Sequence, residues 1–305
     1  MNIPERLVPI YLRATRKNAP FITAEGAAEA IQNQALRPTS YNPPAKLRPD
    51  VTISVRREQE YPIYTVTPKL TAPTGSVLYT HGGGWVHEIS SEHWALVAQI
   101  AAEASVEVTV PIYKLLPYGD ATQANELILR LFHDLKNRQS DVRLAGDSAG
   151  GQITLSAALS LRDQGVENIH TVLISPALEL SLSNPRIPAV LPTDPWLGVG
   201  GTRVLAANWA GSLPIDDPRV SPLLGDLHGL GPMLVFSGTH DVLNPDAHLL
   251  VDKARAAGVD VTFLEQPDAV HVFPLLPTRS AKAARERIVA ALRPPAVEDR
   301  RSARR

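Results

Sequence analysis

Ser148 lies in Gly146-Asp147-Ser148-Ala149-Gly150, a G-x-S-x-G string directly behind the apolar run Val142 to Ala145 and ahead of a helix-compatible stretch. A turn from strand to helix at such a string strains the serine backbone and exposes its hydroxyl, while the flanking glycines leave room for close backbone approach. The N-terminus of the following helix favours developing negative charge. These features suit a nucleophile for acyl transfer; the competing reading is a serine N-cap in a glycine-rich turn.

A second group, His81-Gly82-Gly83-Gly84-Trp85, follows the run Ser76 to Thr80. Acyl transfer needs backbone N–H groups aimed at the oxygen of a tetrahedral intermediate, and consecutive glycines can turn those donors inward without a side-chain clash. Gly83 and Gly84, joined by the amide of Ala149, are the candidate oxyanion hole. His81 and Gly82 are expected to support that loop, His81 by hydrogen bonding. A phosphate-cradling loop would call for a following Lys-Ser/Thr pair or a dinucleotide-type glycine spacing, and neither is present. A metal at His81 would need more ligands than His87 and Glu88 offer.

Two further groups supply an acid and a base. Ser237-Gly238-Thr239-His240-Asp241 follows the apolar run Met233 to Phe236, and Pro267-Asp268-Ala269-Val270-His271-Val272-Phe273 is expected in a loop after the strand-like run Val261 to Glu265. Loops at the carboxyl ends of parallel strands are where catalytic groups gather. The order Ser148, Asp241, His271 is that of the nucleophile-elbow hydrolases, unlike the orders used by other serine triads. Asp246 and Asp268 compete for the acid role. Asp246 reads as a first-turn helix carboxylate, and Asp268 stands very near His271 in sequence. Among the remaining histidines, His240 and His248 lie beside or just after the acid, while His93, His133 and His170 lie ahead of it. Asp147 is expected to face away from the reacting side in a structural hydrogen-bonding role.

These residues need a scaffold of strands with helices between them. Short β-rich runs at Ser76 to Thr80, Val106 to Tyr113, Val142 to Ala145, Thr171 to Ser175, Met233 to Ser237 and Val261 to Glu265 alternate with helix-compatible stretches. That alternation predicts an α/β fold, a mostly parallel central sheet flanked by helices on both faces. Val51 to Val55 and Tyr61 to Val66 predict an antiparallel edge hairpin. Residues 1–45 and 179–216 break the pattern, and they are expected to pack together as a small helical cap over a core of residues 46–178 and 217–297. Residues 298–305 read as a charged, solvated tail.

The chain of 305 residues is long enough for one large α/β domain. Its 30 basic and 31 acidic residues nearly cancel, which argues against a nucleic-acid partner and for a small neutral substrate. The absence of cysteine removes a disulfide framework, a thiolate metal site and a Cys nucleophile together. Met1 to Pro20 carries Arg6, Arg13, Arg16 and Lys17 without an uninterrupted apolar stretch, so no secretory signal is read there, and no run approaches the length of a membrane span. The expectation is a cytoplasmic protein with no cofactor and no metal.

At these motifs the chain resembles the hormone-sensitive-lipase-like esterases, the bacterial family IV branch of the α/β-hydrolase superfamily. The resemblance rests on the His81 to Gly84 loop, the Gly146 to Gly151 elbow, and the stretch from Ser221-Pro222-Leu223-Leu224 to Asp241-Val242-Leu243, and it runs over roughly residues 76–275. It implies an α/β-hydrolase core with a helical cap, activity on esters of short to medium acyl chains, and no metal; a homodimer through an exposed edge strand is compatible with it. The chain departs from the family at Tyr113-Lys114-Leu115-Leu116-Pro117-Tyr118, where members often carry a glutamate. Amide or peptide cleavage, lipase activity, and a non-catalytic ligand receptor are the rival readings on the same scaffold.

Overall fold

The structure is a computed structural model that describes residues 4–14 and 17–295; the expected tail at 298–305 lies outside the described residues. Among the described residues eight strands form one sheet: β1 (Val51–Glu58), β2 (Tyr61–Pro68), β3 (Ser76–Thr80), β4 (Glu107–Pro111), β5 (Val142–Asp147), β6 (Thr171–Ile174), β7 (Met233–His240) and β8 (Val261–Val270). Their order across the sheet is β1-β2-β4-β3-β5-β6-β7-β8. The β1–β2 and β2–β4 pairs are antiparallel and all others are parallel, so the α/β architecture and the edge hairpin expected from the sequence are both present.

The helices are α1 (Val8–Ala14), α2 (Ala19–Ile22), α3 (Ala24–Leu36), α4 (Ser91–Ala104), α5 (Ala121–Arg138), α6 (Ala149–Asp163), α7 (Ile187–Val190), α8 (Val199–Ala210), α9 (Asn244–Ala256) and α10 (Arg279–Leu292). Strand residues divide by their two-residue period. Leu78 and Leu144 enter the apolar cluster that holds Leu127, Leu131 and Phe132 of α5, whereas Val77, Tyr79 and Ala145 enter the cluster that holds Trp94, Val97 and Ile100 of α4 and Ile288 of α10. Both faces of the central strands are buried, which explains why these runs are apolar throughout rather than alternating. Local capping marks the helix starts. The Asp120 carboxylate accepts from the Gln123 N–H, and the Thr278 hydroxyl accepts from the Ala281 N–H.

The chain leaves β3 to one side, toward β4, and returns to β5 on the other. Loops that leave neighbouring strands in opposite directions open a crevice at their carboxyl ends. The glycine loop after β3 and the Ser148 elbow after β5 both lie at that switch point. Helices α2 and α3 pack on α8, which brings the N-terminal segment against the stretch between β6 and β7.

Two strands run further than the sequence suggests. β7 continues to His240, and β8 continues through Pro267 and Asp268 to Val270, with a register shift between Gly238 and His240. The stretch 267–270 is therefore strand rather than loop. Pro267 is tolerated because β8 is an edge strand, where a missing N–H costs no ladder bond. Asp241 and His271 thus follow directly on the ends of two paired strands. Among the described residues no helix is long and apolar enough to cross a membrane.

Candidate active site

Ser148 occupies the single residue between β5 and α6, at φ 52° and ψ −119°. A side chain in this left-handed region costs energy, and the neighbours must compensate. They do so through the Ser148 N–H, which donates to the Ile174 carbonyl at 2.9 Å, and through its carbonyl, which accepts from the N–H groups of Ala177 and Gln152. The hydroxyl is thereby held at the crest of the turn.

His271 Nε2 lies 2.8 Å from Ser148 Oγ, and its Nδ1 lies 2.9 Å from Asp241 Oδ2. A carboxylate can only accept, so Nδ1 carries the proton and Nε2 is left to accept from the serine hydroxyl. The His271 turn is set by the Val272 N–H, which donates to the Ser175 hydroxyl at the end of β6. Burial alone would lower the His271 pKa. The charge and hydrogen bond of Asp241, with the charges of Asp194 and Asp147, outweigh burial and hold it above its ordinary value.

The competing carboxylates stand elsewhere. Asp246 accepts from the Asn184 amide at 2.7 Å on α9, and Asp268 is an exposed side chain 3.5 Å from the His240 ring. Asp147 faces back from the elbow. Its Oδ1 accepts from the Tyr79 hydroxyl at 2.7 Å and from the Gly82 N–H at 3.0 Å, and its Oδ2 lies 3.0 Å from His93 Nε2. Because the Ser90 N–H donates to His93 Nδ1, the His93 proton sits on Nε2 and points at Asp147. Burial would raise the Asp147 pKa, but the favourable groups around it, His93 foremost, bring it below the ordinary value. One carboxylate therefore ties the elbow to the glycine loop.

In that loop Gly83 and Gly84 have φ of +123° and +61°. A Cβ on Gly84 would stand 2.5 Å from the Phe21 ring, so the loop depends on glycine there for close approach as well as for backbone conformation. Among the described residues the amides of Gly83, Gly84 and Ala149 have no acceptor. His81 is fully buried and stacked on Tyr113 with centroids 4.6 Å apart, its Nδ1 2.7 Å from the Gly82 carbonyl. Burial, helped by neighbouring His93, lowers its pKa to about 4, so the ring is neutral. Among the described residues no group of three or more His, Asp or Glu is placed to hold a metal ion.

Ser148, His271, Gly83 and Gly84 open into a cavity of about 650 Å³. Its walls are apolar over Val8, Leu12, Phe21, Trp196, Leu197 and Leu275, with Lys17 and Glu92 also on the lining. Three features of this region escape a reading of the sequence. Gln152, buried on α6, accepts from both the Trp85 and Trp209 indoles, at 3.3 and 3.0 Å, and so joins the glycine loop to α8. Its only sequence signal is a lone amide within an apolar helix. Trp196 stands edge-on to His271, with centroids 5.8 Å apart. Asp194 lies buried beside Asp241; a polar residue just ahead of Pro195 is a turn signal, but nothing in it points to the histidine.

Residues 77–275 match a family described as the alpha/beta hydrolase fold. The chain belongs to this family. Among curated relatives of the chain, a triacylglycerol lipase of Mycobacterium tuberculosis is 33% identical over 70% of it, a match that spans 45% of the lipase. An esterase of Acinetobacter venetianus is 28% identical over 83% of each protein. The chain thus spans less than half the length of the first of these relatives. Among solved structures, an esterase from the bacterial hormone-sensitive lipase family superposes with a TM-score of 0.81 at 26% identity, covering 96% of this chain and 98% of that one. The resemblance read from the glycine loop and the elbow is borne out at the level of the family.

Proposed function

We propose that this hydrolase is a serine carboxylesterase acting on esters of short to medium acyl chains. The observation that carries the reading is the unbroken chain Ser148 Oγ, His271 Nε2, His271 Nδ1, Asp241 Oδ2 at 2.8 and 2.9 Å, opening into the cavity. As Ser148 Oγ attacks the ester carbonyl, His271 Nε2 takes its proton, while Asp241 holds the tautomer and stabilises the imidazolium. The uncommitted amides of Gly83, Gly84 and Ala149 receive the oxyanion. The alcohol leaves with the proton from His271, and the imidazole then activates water to release the acid from the acyl-enzyme.

The volume falls in the range of about 300–1,000 Å³ usual for small-ligand sites, which favours compact esters over long acyl chains. We read the described residues of the segments 1–45 and 179–216, which bring Val8, Leu12, Phe21, Trp196 and Leu197 to the wall, as a cap over the reacting groups. A p-nitrophenyl ester series from acetate to palmitate tests the reading. Turnover is expected to peak among the shorter esters and to fall by several decades in Ser148→Ala. A maximum at long, emulsified chains makes the protein a lipase, and near-normal turnover in a folded Ser148→Ala removes Ser148 as nucleophile.

A further inference from the structure

Asp194 is a second buried carboxylate behind the histidine, and the reaction as written makes no use of it. It belongs to the segment between β6 and β7, yet it reaches across to the acid-bearing loop. Oδ2 accepts from the Val242 N–H at 2.7 Å, next to Asp241 in the chain. Oδ1 accepts from the Trp196 and Leu197 N–H groups at 2.7 and 2.9 Å. Both of those residues line the cavity, and the Trp196 ring meets His271 at an interplanar angle of 90°.

We propose that Asp194 is a positioning residue that clamps the Asp241 loop to the cavity wall and holds the Trp196 indole edge-on against His271. A carboxylate suits this task because three N–H donors converge on its two oxygens; an amide could accept on one side only. The indole in turn covers one flank of the imidazole and limits its freedom to swing away from Ser148. The inference rests on the esterase reading above.

The charge of Asp194 gives the role a signature that a merely structural anchor lacks. The charged groups acting on His271 are Asp241 from the β7–α9 loop, Asp194 from the segment before α8, and Asp147 at the end of β5, and all three favour the imidazolium. The Asp194 carboxyl is itself pushed up to about 6, by burial first and by the neighbouring charge of Asp241 second. Removing the Asp194 charge lowers the pKa of His271, and the acid limb of kcat/KM, which reports the neutral base in the free enzyme, moves to lower pH.

The test is a pH profile of kcat/KM for p-nitrophenyl butyrate in wild type, Asp194→Asn, Trp196→Phe and Trp196→Ala, with folding followed by circular dichroism. Asp194→Asn is expected to shift the acid limb downward by about half a unit or more and to lower kcat about ten-fold. Trp196→Ala is expected to lower kcat with the limb in place, and Trp196→Phe, which keeps an aromatic edge, to restore most of it. A limb that coincides with wild type in Asp194→Asn, full kcat in Trp196→Ala, or loss of the fold in Asp194→Asn each overturns the positioning role. Wild-type protein without ester turnover would instead sink the esterase reading, so the two failures are distinguishable.

Discussion

The floor of the proposed active site and the cavity wall are built in different ways. The floor hangs on strand ends: Ser148 after β5, Asp241 after β7 and His271 after β8, each nearly inaccessible to solvent except for the serine and each tied by hydrogen bonds. Much of the wall comes from two segments far apart in sequence, residues 4–14 with 17–36 and residues 194–210, joined largely by apolar contact of α2 and α3 with α8, while Leu275 adds to it from the stretch after β8. Directional bonds on a rigid sheet fix reacting atoms to a fraction of an ångström, whereas packed helices fix a shape and little more. Chemistry should thus respond to changes in the floor, and substrate choice to changes in the wall.

The largest effect expected is in the floor. Asp241→Asn should lower kcat by about 10⁴-fold with KM nearly unchanged, because the amide favours the wrong imidazole tautomer. Single-turnover hydrolysis of p-nitrophenyl butyrate measures it, and a loss below ten-fold would mean that Asp241 is not the acid. A smaller effect is expected in the wall. Phe21→Ala should raise KM about ten-fold, or shift the preferred acyl length, with kcat within a few-fold of wild type. If kcat fell as far as in Asp241→Asn, the division between floor and wall would collapse.

The smallest effect is expected outside both regions, where Asn184 donates to Asp246 on α9. Burial pushes the Asp246 carboxyl up from 3.8 to about 6, against the pull of that hydrogen bond. The folded state holds this proton more tightly than the unfolded chain does. Ionisation therefore costs stability, and the cost grows as pH rises from about 4 through 6 and is constant above. Asp246→Asn should remove a penalty on the order of 1–2 kcal/mol and raise Tm by a few degrees at pH 8, with the gain gone by pH 4. Thermal melts at the two pH values check the sign, and an equal change at both would place the effect in packing rather than in charge.

The same contrast explains what was legible in the sequence. Val142 to Ala145 and Met233 to Phe236 read as strands because they are buried on both faces, and the residues behind them could be placed by strand order alone. The far end of β8 was not legible, since Pro267 and Asp268 are poor strand formers that an edge position tolerates. The wall was still less so. The bond from the Asp194 carboxylate to Val242 spans a gap of 48 residues and leaves no periodic trace, and the double indole contact of Gln152 depends on a helix from another part of the chain.

The close seat of Phe21 on Gly84 carries a consequence for how such a chain changes over generations. The helices α1 to α3 are joined covalently to β1 through one stretch, residues 37–50, that holds neither helix nor strand. Recombination at that stretch could exchange the whole N-terminal piece of the wall and leave every reacting atom where it was. The heir must still bring a ring, or something as flat, to lie against a glycine that has no room for a methyl group.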